Sequence, residues 1–350
     1  MARLFFLVSG ENPTLPFSEV KSILEAEGYR YRVLGELTQA IRIEADQSCV
    51  ESVKFRSALA KICCLEIFIC RASSNEIISS VKKLDFTRFL KDDETFAVRI
   101  MRVRGFSKEI SRSMLEREIG GIILENTKTK NVKVDLRNPD KTFFGLFTDN
   151  LFLFGLKLAD IKHKDLFERN PGRRVFFHPA AINAKDARCM VNLAQSRAGN
   201  LVLDPFCGTG GLLIEAGLIG CRVLGFDIDK RMINGCCRNL SFFGIEPEGL
   251  GVADARWPPL RNMSADHIVT DPPYGTASST FGSSTKSLVE RFFSAAVDVL
   301  KHGGVMCISA PKNVGLGKIG IRHGFKHLES HFIYVHRRLT REIAVFKRVD

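Results

Sequence analysis

Between residues 201 and 310 the sequence repeats one pattern, a short apolar run followed by a segment of helical periodicity. The runs are "LVLD" at 201–204, "RVLGFD" at 222–227, "HIVT" at 267–270 and "VMCISA" at 305–310. Strands separated by helix-length segments need crossover connections, which implies a mostly parallel sheet with helices on its faces. In such a sheet ligands bind beyond the carboxyl ends of the strands. Three of the four runs end on or beside an acid there: Asp204, Asp227 and Asp271.

Two of these strand ends lead into unusual turns. In "TDPPYG", residues 270–275, two rings in succession fix φ and remove two amide donors, so neither a helix nor a central strand passes through Pro272 and Pro273 and the turn must be rigid. Taken alone, Asp271 fits the capping of a backbone amide as well as it fits a functional role. In "VLDPFCGTGGLLIEAGLIG", residues 202–220, Gly208, Gly210 and Gly211 let the backbone approach a ligand and present amides at a helix N-terminus. No G-K-[ST] follows and the G-x-G-x-x-G spacing is missing, so phosphate is not the target. Asp227 stands 23 residues after Asp204, where the tip of a second strand can accept hydrogen bonds from both ribose hydroxyls. Asp229 is the better candidate to cap the helix that follows. Asp254 in "VADAR" is a third acid, able to accept from an adenine amino group.

D-x-F-x-G-x-G-G, an acidic strand tip, "DA" and "DPPY", in this order and spacing, resemble the S-adenosylmethionine-dependent amino-methyltransferases over residues 177–350. The resemblance implies a Rossmann-like class I methyltransferase domain, α/β with a mostly parallel sheet, and S-adenosyl-L-methionine as cofactor. Carried onto this chain, cofactor contacts fall on Asp204, Pro205, Phe206, Gly208, Thr209, Gly210, Asp227, Ile228, Asp254, Ala255 and Asp271. The catalytic group would be Asp271, Pro272 and Tyr274. An exocyclic base amine is a poor nucleophile because its lone pair is delocalised into the ring. Hydrogen bonds to the Asp271 carboxylate and the Pro272 carbonyl would orient it, and the carboxylate would stabilise the charge that develops. Tyr274 would stack on the base. Enzymes that methylate ring carbon carry their nucleophilic cysteine in the turn occupied here by "DPPY", so Cys207 is taken as packing.

The preceding half has a different grammar. Residues 1–73 read β-α-β-β-α-β, a ferredoxin-like order, with a first helix at "PFSEVKSILEAEG", a second at "VESVKFRSALAKI" and a closing strand at "CLEIFIC". Residues 74–156 form a second small unit, with helices at "NEIISSVKKL" and "ISRSMLEREIGGIILEN" and strands at "TFAVRIMRV", "VKVDL", "KTFFGLFT" and "LFLFGLKL". Residues 157–176 lose periodicity and gain charge, and are expected to be a linker into the domain at 177–350, which opens helically after Ala180. The sequences "FAVRIMRVRGFSKEISRSMLEREIGGII" and "VKVDLRNPDKTFFGLFTDNLFLFGLKL" resemble the THUMP domain, an RNA-binding module, and the expected fold is therefore α+β ferredoxin-like and THUMP units ahead of the methyltransferase domain.

Charge agrees with a polyanionic partner. Residues 1–176 carry 30 Lys and Arg against 24 Asp and Glu, residues 177–311 carry 12 against 12, and residues 312–350 carry 9 against 3. A neutral centre flanked by basic regions suits a cofactor-holding core whose flanks meet nucleic acid. THUMP-like residues followed by "DPPYG" and "HRRLTREI" look like the archaeal tRNA guanosine-10 N2-methyltransferases and their eukaryotic counterparts. That resemblance implies tRNA as partner and mono- or dimethylation of a guanosine N2. Arg102, Arg104, Lys130, Arg137, Arg337, Arg338 and Arg341 are the expected RNA contacts, although Arg338 replaces the serine of the family's H-x-S-L-T-R tail. A small activator subunit, as in eukaryotic relatives, is left open; otherwise a monomer is expected. Methylation of guanosine at position 6 of tRNA, and a non-catalytic tRNA-binding role with a retained cofactor fold, remain as alternatives.

No metal is expected, because the ten cysteines include no C-x-x-C pair. No apolar stretch reaches the roughly 18 residues of a spanning helix. The short N-terminal "LFFLV" is cut off by Gly10-Glu11-Asn12-Pro13, so no signal peptide and a cytoplasmic location are expected.

Overall fold

The structure is a computed structural model, and it describes residues 1–274, 285–337 and 339–349. Gly275 of the double-proline turn and Arg338 lie outside the described residues. The chain divides into two compact units. Unit 1 is Met1–Phe17, Tyr29–Phe55 and Ala60–Ile161; unit 2 is Ser18–Gly28, Arg56–Leu59 and Lys162–Asp350.

Unit 1 is built on a single eight-stranded sheet. Its strands are β1 (Ala2–Val8), β2 (Tyr31–Leu37), β3 (Ala40–Ala45), β4 (Ala60–Arg71), β5 (Thr95–Arg102), β6 (Lys133–Val134), β7 (Lys141–Thr148) and β8 (Leu151–Asp160), in the order β2-β3-β1-β4-β8-β7-β5-β6. β4 is long enough to pair with β1 through its first half and with β8 along its whole length. Strands from both sides of residue 73 therefore share one sheet, with β4 ending at Arg71 and a helix beginning at Ser74. Four helices are introduced along this part of the chain: α1 (Leu15–Ala26), α2 (Cys49–Arg56), α3 (Ser74–Lys82) and α4 (Arg112–Asn126). Of α1, only Leu15–Phe17 belongs to unit 1.

Phenylalanine fills the unit 1 core. Phe143 stands edge-on to Phe86 with centroids 5.2 Å apart and stacks on Phe154 at 6.0 Å, while Phe147 lies 4.8 Å from Phe152. These separations fall in the favourable range for aromatic pairs. The helix expected at 50–62 ends at Arg56, and Ala60 already belongs to β4. The cause is Glu19, whose carboxylate accepts from the Ser57 hydroxyl at 2.6 Å and from the amides of Ala58 at 2.8 Å and Leu59 at 3.0 Å. Those amides are spent on a distant side chain and cannot continue a helix. "VKVDL" shrinks to the two-residue β6.

Unit 2 carries a seven-stranded sheet among the described residues. Its strands are β9 (Leu201–Asp204), β10 (Arg222–Asp227), β11 (Gly249–Val252), β12 (Ala265–Thr270), β13 (Leu300–Pro311), β14 (Phe325–His336) and β15 (Leu339–Arg348), in the order β11-β10-β9-β12-β13-β15-β14. The pairings from β11 through β13 are parallel, and β15 is antiparallel to both β13 and β14. Helices α5 (Lys164–Glu168), α6 (Ala184–Leu193), α7 (Gly211–Leu218), α8 (Lys230–Phe242), α9 (Thr285–Val299) and α10 (Leu316–Arg322) complete it. The strand order reverses between β9 and β12, the topological switch point at which open α/β sheets take their ligands. The sequence pattern located β9, β10, β12 and β13 but did not anticipate the β14–β15 hairpin. No helix among the described residues is long and apolar enough to cross a membrane.

The segment expected to be a linker is structured. Residues 157–160 close β8, α5 follows, and Arg169 and Arg174 turn into unit 2. Arg169 and Arg188 both bind the fully buried Glu215 of α7, at 2.7 and 2.8 Å. Of the charges that made these residues look like a solvated connection, Arg169 is paired with Glu215 and Arg174 donates to the carbonyls of Arg169 and Ile182, whereas Lys162, Lys164, Asp165, Glu168 and Arg173 are exposed.

Candidate active site

Four carboxylates stand at the carboxyl edge of the unit 2 sheet, each in a different environment. Asp204 at the end of β9 is 1% exposed. Its Oδ1 accepts from the Thr270 hydroxyl of β12 at 2.7 Å and from the Phe206 amide at 3.1 Å. Burial pushes its carboxyl up to about 8 despite these bonds, so near neutral pH it is mostly protonated and able to donate.

The following loop turns on two residues of positive φ, Gly208 at 49° and Gly210 at 84°. Gly210 opens α7 in the left-handed conformation, and a Cβ there would fall 2.7 Å from Cys236 Sγ. Only glycine meets both demands. Cys207 is buried in this loop, its amide donating to the Phe226 carbonyl at 2.8 Å. The neighbouring Cys236 and burial hold its thiol protonated, which suits packing.

Asp227 at the tip of β10 is joined to the same loop. Its Oδ2 accepts from the Gly208 amide and its Oδ1 from the Asp229 amide, both at 2.9 Å. Each oxygen retains a second lone pair. Burial raises the carboxyl above the ordinary aspartate value. Asp229, as anticipated, caps α8 by accepting from the Arg231 amide at 2.7 Å. Ile228 between them is 43% exposed. A glycine turn that a ligand's backbone-facing atoms can approach, beside an acid held in place with lone pairs to spare, fits the S-adenosylmethionine expected from the sequence.

Asp254 differs from the expectation. Its carboxylate is gripped by Arg256, with Nε 2.9 and 3.0 Å from the two oxygens and Nη2 2.5 Å from Oδ2. The pairing keeps its carboxyl below the usual aspartate range. Arg256 in turn lies 4.8 Å over the exposed Trp257 ring. This partner, two residues along the chain, competes for the lone pairs assigned to an adenine amine. Ala255 is buried beside it.

The double-proline turn supplies the fourth acid. Pro272 is buried, and Asp271 and Tyr274 are half-buried. Asp271 Oδ1 is shielded from solvent and has no hydrogen-bond partner among the described residues. Burial raises its carboxyl, while the Arg341 charge and the Ser309 and Tyr274 hydroxyls act the other way. An acceptor removed from water with nothing to accept is costly in a folded protein, and its retention points to a ligand.

The expected RNA contacts separate into two sets. Arg104, Arg137 and Arg337 are exposed. Arg102 instead donates to the carbonyls of Ser107 and Ile110 at 2.7 and 2.6 Å and lies over Phe147, and Lys130 donates to those of Thr87 and Leu90 at 3.0 and 2.9 Å. Both are engaged in holding loops. Arg341 is 16% exposed, bound to Asp186 at 3.4 Å with its guanidinium 5.8 Å from the Tyr274 ring. Unlike the three exposed arginines, it lies beside the double-proline turn. Composition could count these charges but not their direction, which depends on which carbonyls and rings the fold brings within reach.

Comparison with known proteins agrees with this architecture. Residues 171–341 match the RMKL-like methyltransferase domain family and residues 71–153 match the THUMP domain. The chain is 38% identical over 347 residues to a tRNA (guanine(10)-N2)-dimethyltransferase of Methanothermobacter thermautotrophicus, covering 99% of both chains. It is 31% identical to the protein of the same name from Methanocaldococcus jannaschii, covering 98% of this chain and 99% of that one. A solved putative methyltransferase, SMU.472, complexed with SAH, shares the fold at a TM-score of 0.54 and 15% identity, with coverage of 100% and 99%. Identity at this level across nearly the full length of both chains, with a THUMP domain ahead of a methyltransferase domain, shows that the chain belongs to the tRNA (guanine(10)-N2)-dimethyltransferase family.

Proposed function

We propose that the protein methylates the exocyclic N2 of guanosine 10 in tRNA, twice, using S-adenosylmethionine. The observation that carries the chemistry is the orphaned Asp271 Oδ1 at the switch point of a methyltransferase sheet, next to a buried proline and a tyrosine. Position and stoichiometry rest on the names of the relatives.

S-adenosylmethionine, when bound, supplies a methyl group made electrophilic by a sulfonium. The Asp227 carboxylate would accept from the ribose hydroxyls with its remaining lone pairs, and the loop from Pro205 through Gly210, with Phe206 and Thr209, would lie along the rest of the molecule. Ile228 and Ala255 would cover the adenine, and the Asp254 carboxylate would reach its amine only by loosening its grip on Arg256. Asp271 Oδ1 and the Pro272 carbonyl would each accept one N–H of the guanine amine and aim its nitrogen. Tyr274 would stack on the base, worth roughly 1–3 kcal/mol. Asp271 then takes the proton that the nitrogen sheds as it becomes an alkylamine, which requires the ionised carboxylate. A monomethylated amine keeps one N–H, which Asp271 can hold in the same way for a second transfer. Arg104, Arg137 and Arg337 would meet phosphates, a contribution that positions the RNA without reading its sequence. A tRNA substrate and ten free cysteines support a cytoplasmic location.

Incubating unmodified tRNA with the protein and labelled S-adenosylmethionine, then mapping the product by mass spectrometry, tests the proposal. Two methyl groups on guanosine 10 are expected. Label on another nucleotide, such as position 6, or a reaction that stops at one methyl group, would overturn it.

A further inference from the structure

Arg341 occupies a position that contact with RNA does not explain. It is the third residue of β15, paired in register with Pro311 at the end of β13, and Ser309 on β13 faces Ile343 two residues along. This register carries the guanidinium to the same carboxyl edge as Asp271. There Nη1 is 3.4 Å from Asp186 Oδ2, and the guanidinium carbon is 5.8 Å from the Tyr274 ring centre. Nε is buried without a hydrogen-bond partner among the described residues. Asp186 is itself fixed: its amide donates to Asn183 Oδ1 at 2.8 Å, and its Oδ2 accepts from Asn183 Nδ2 at 2.9 Å. This reciprocal pair caps α6 and leaves the acid little freedom.

We propose that Arg341 is a positioning residue for methyl transfer: braced on Asp186, its guanidinium holds the Asp271 carboxylate and the Tyr274 ring in the arrangement that receives the guanine amine. The inference rests on the reaction proposed above. An arginine chelating Asp271 directly would fill the lone pairs that the amine needs. Anchored on Asp186 instead, Arg341 supplies a counter-charge while Asp271 Oδ1 stays open. The charged and titratable groups facing Asp271 are Arg341 from β15, Asp186 from α6, Asp204 from β9 and Tyr274 from its own turn, with the Ser309 hydroxyl of β13 beside them. Of these, Arg341 is the cation. Its charge holds the Asp271 carboxyl down against burial, and the charge of Asp186 acts against it.

The test compares wild type, Arg341→Gln and Arg341→Lys on unmodified tRNA, measuring affinity for S-adenosylmethionine and tRNA and single-turnover rate against pH. Arg341→Gln is expected to bind both within about threefold of wild type, to slow transfer at least tenfold at neutral pH, and to move the acid limb of the rate profile upward by about one unit or more. Arg341→Lys should keep the acid limb near that of wild type and recover much of the rate. Asp186→Asn, which removes the brace and an opposing negative charge, should slow transfer without raising the acid limb, and serves if Arg341→Gln does not fold. An unmoved acid limb in Arg341→Gln, or weakened tRNA binding with an unchanged rate, would overturn the proposal and return Arg341 to RNA contact. Wild type failing to methylate guanosine would instead overturn the functional reading.

Discussion

Unit 2 holds two acids of opposite design, Glu215 on α7 and Asp271 beyond β12. Glu215 is fully buried, and its two oxygens are taken by Arg169 and Arg188. Asp271 has a shielded oxygen that nothing in the described structure satisfies. Burying a carboxylate is costly in both places, but at Glu215 both oxygens are bonded within the chain, whereas at Asp271 one is not. The difference shows where to look for function: a buried charge with a complete set of partners maintains the fold, whereas one left incomplete marks where a ligand finishes the network. Glu19, also fully buried and bound by Ser57, Ala58, Leu59 and Asn192, belongs with Glu215.

The comparison breaks most easily at Glu215. Replacing it with alanine strands the buried guanidinium of Arg188 and the half-buried one of Arg169, and the expected loss is about 3–5 kcal/mol of stability, read as a fall in the denaturant midpoint. A loss below about 1 kcal/mol would mean that those arginines find water and that the contrast with Asp271 is only apparent. Asp204 gives a second, pH-dependent break. Its carboxyl near 8 lies above the unfolded value, so the folded state holds the extra proton between about pH 4 and 8 and stability falls as pH rises through that window. Asp204→Asn should flatten that part of the stability profile and gain most over wild type above pH 8, and an unchanged slope would place the proton elsewhere. The smallest effect is expected at Asp271 itself. Asp271→Asn removes an unsatisfied charge and should leave stability unchanged or raise it by up to about 1 kcal/mol, the mirror image of Glu215→Ala.

Much of the chemistry was legible in the sequence because its signals are local. Prolines, glycines and strand-terminal acids fix backbone geometry within a few residues, so the β9 and β10 bounds and the candidate carboxylates follow from the pattern alone. What stayed hidden depends on long-range pairing. The link from Asp227 to Gly208, the bond from Thr270 to Asp204 and the approach of Arg341 to Tyr274 each need strands or loops far apart in the chain to meet. The same holds for Arg169 in the segment 157–176, which looked solvated because its partner Glu215 lies 46 residues further along the chain. A basic residue has the same composition whether it faces a phosphate, a carbonyl or a buried acid, and only the fold separates Arg137 from Lys130 and Arg341. The Arg256 pair at Asp254 is short-range, and the "DAR" tripeptide could have suggested it.

In the proposed mechanism the Asp271 carboxylate acts on the guanine amine and not on the affinity for either ligand. Single-turnover methyl transfer by Asp271→Asn, measured beside its equilibrium affinities for S-adenosylmethionine and tRNA, tests this most directly. The rate should be lower by about 10³-fold, with both affinities within about threefold of wild type. A rate near that of wild type, or a loss confined to the affinity for either ligand, would contradict it.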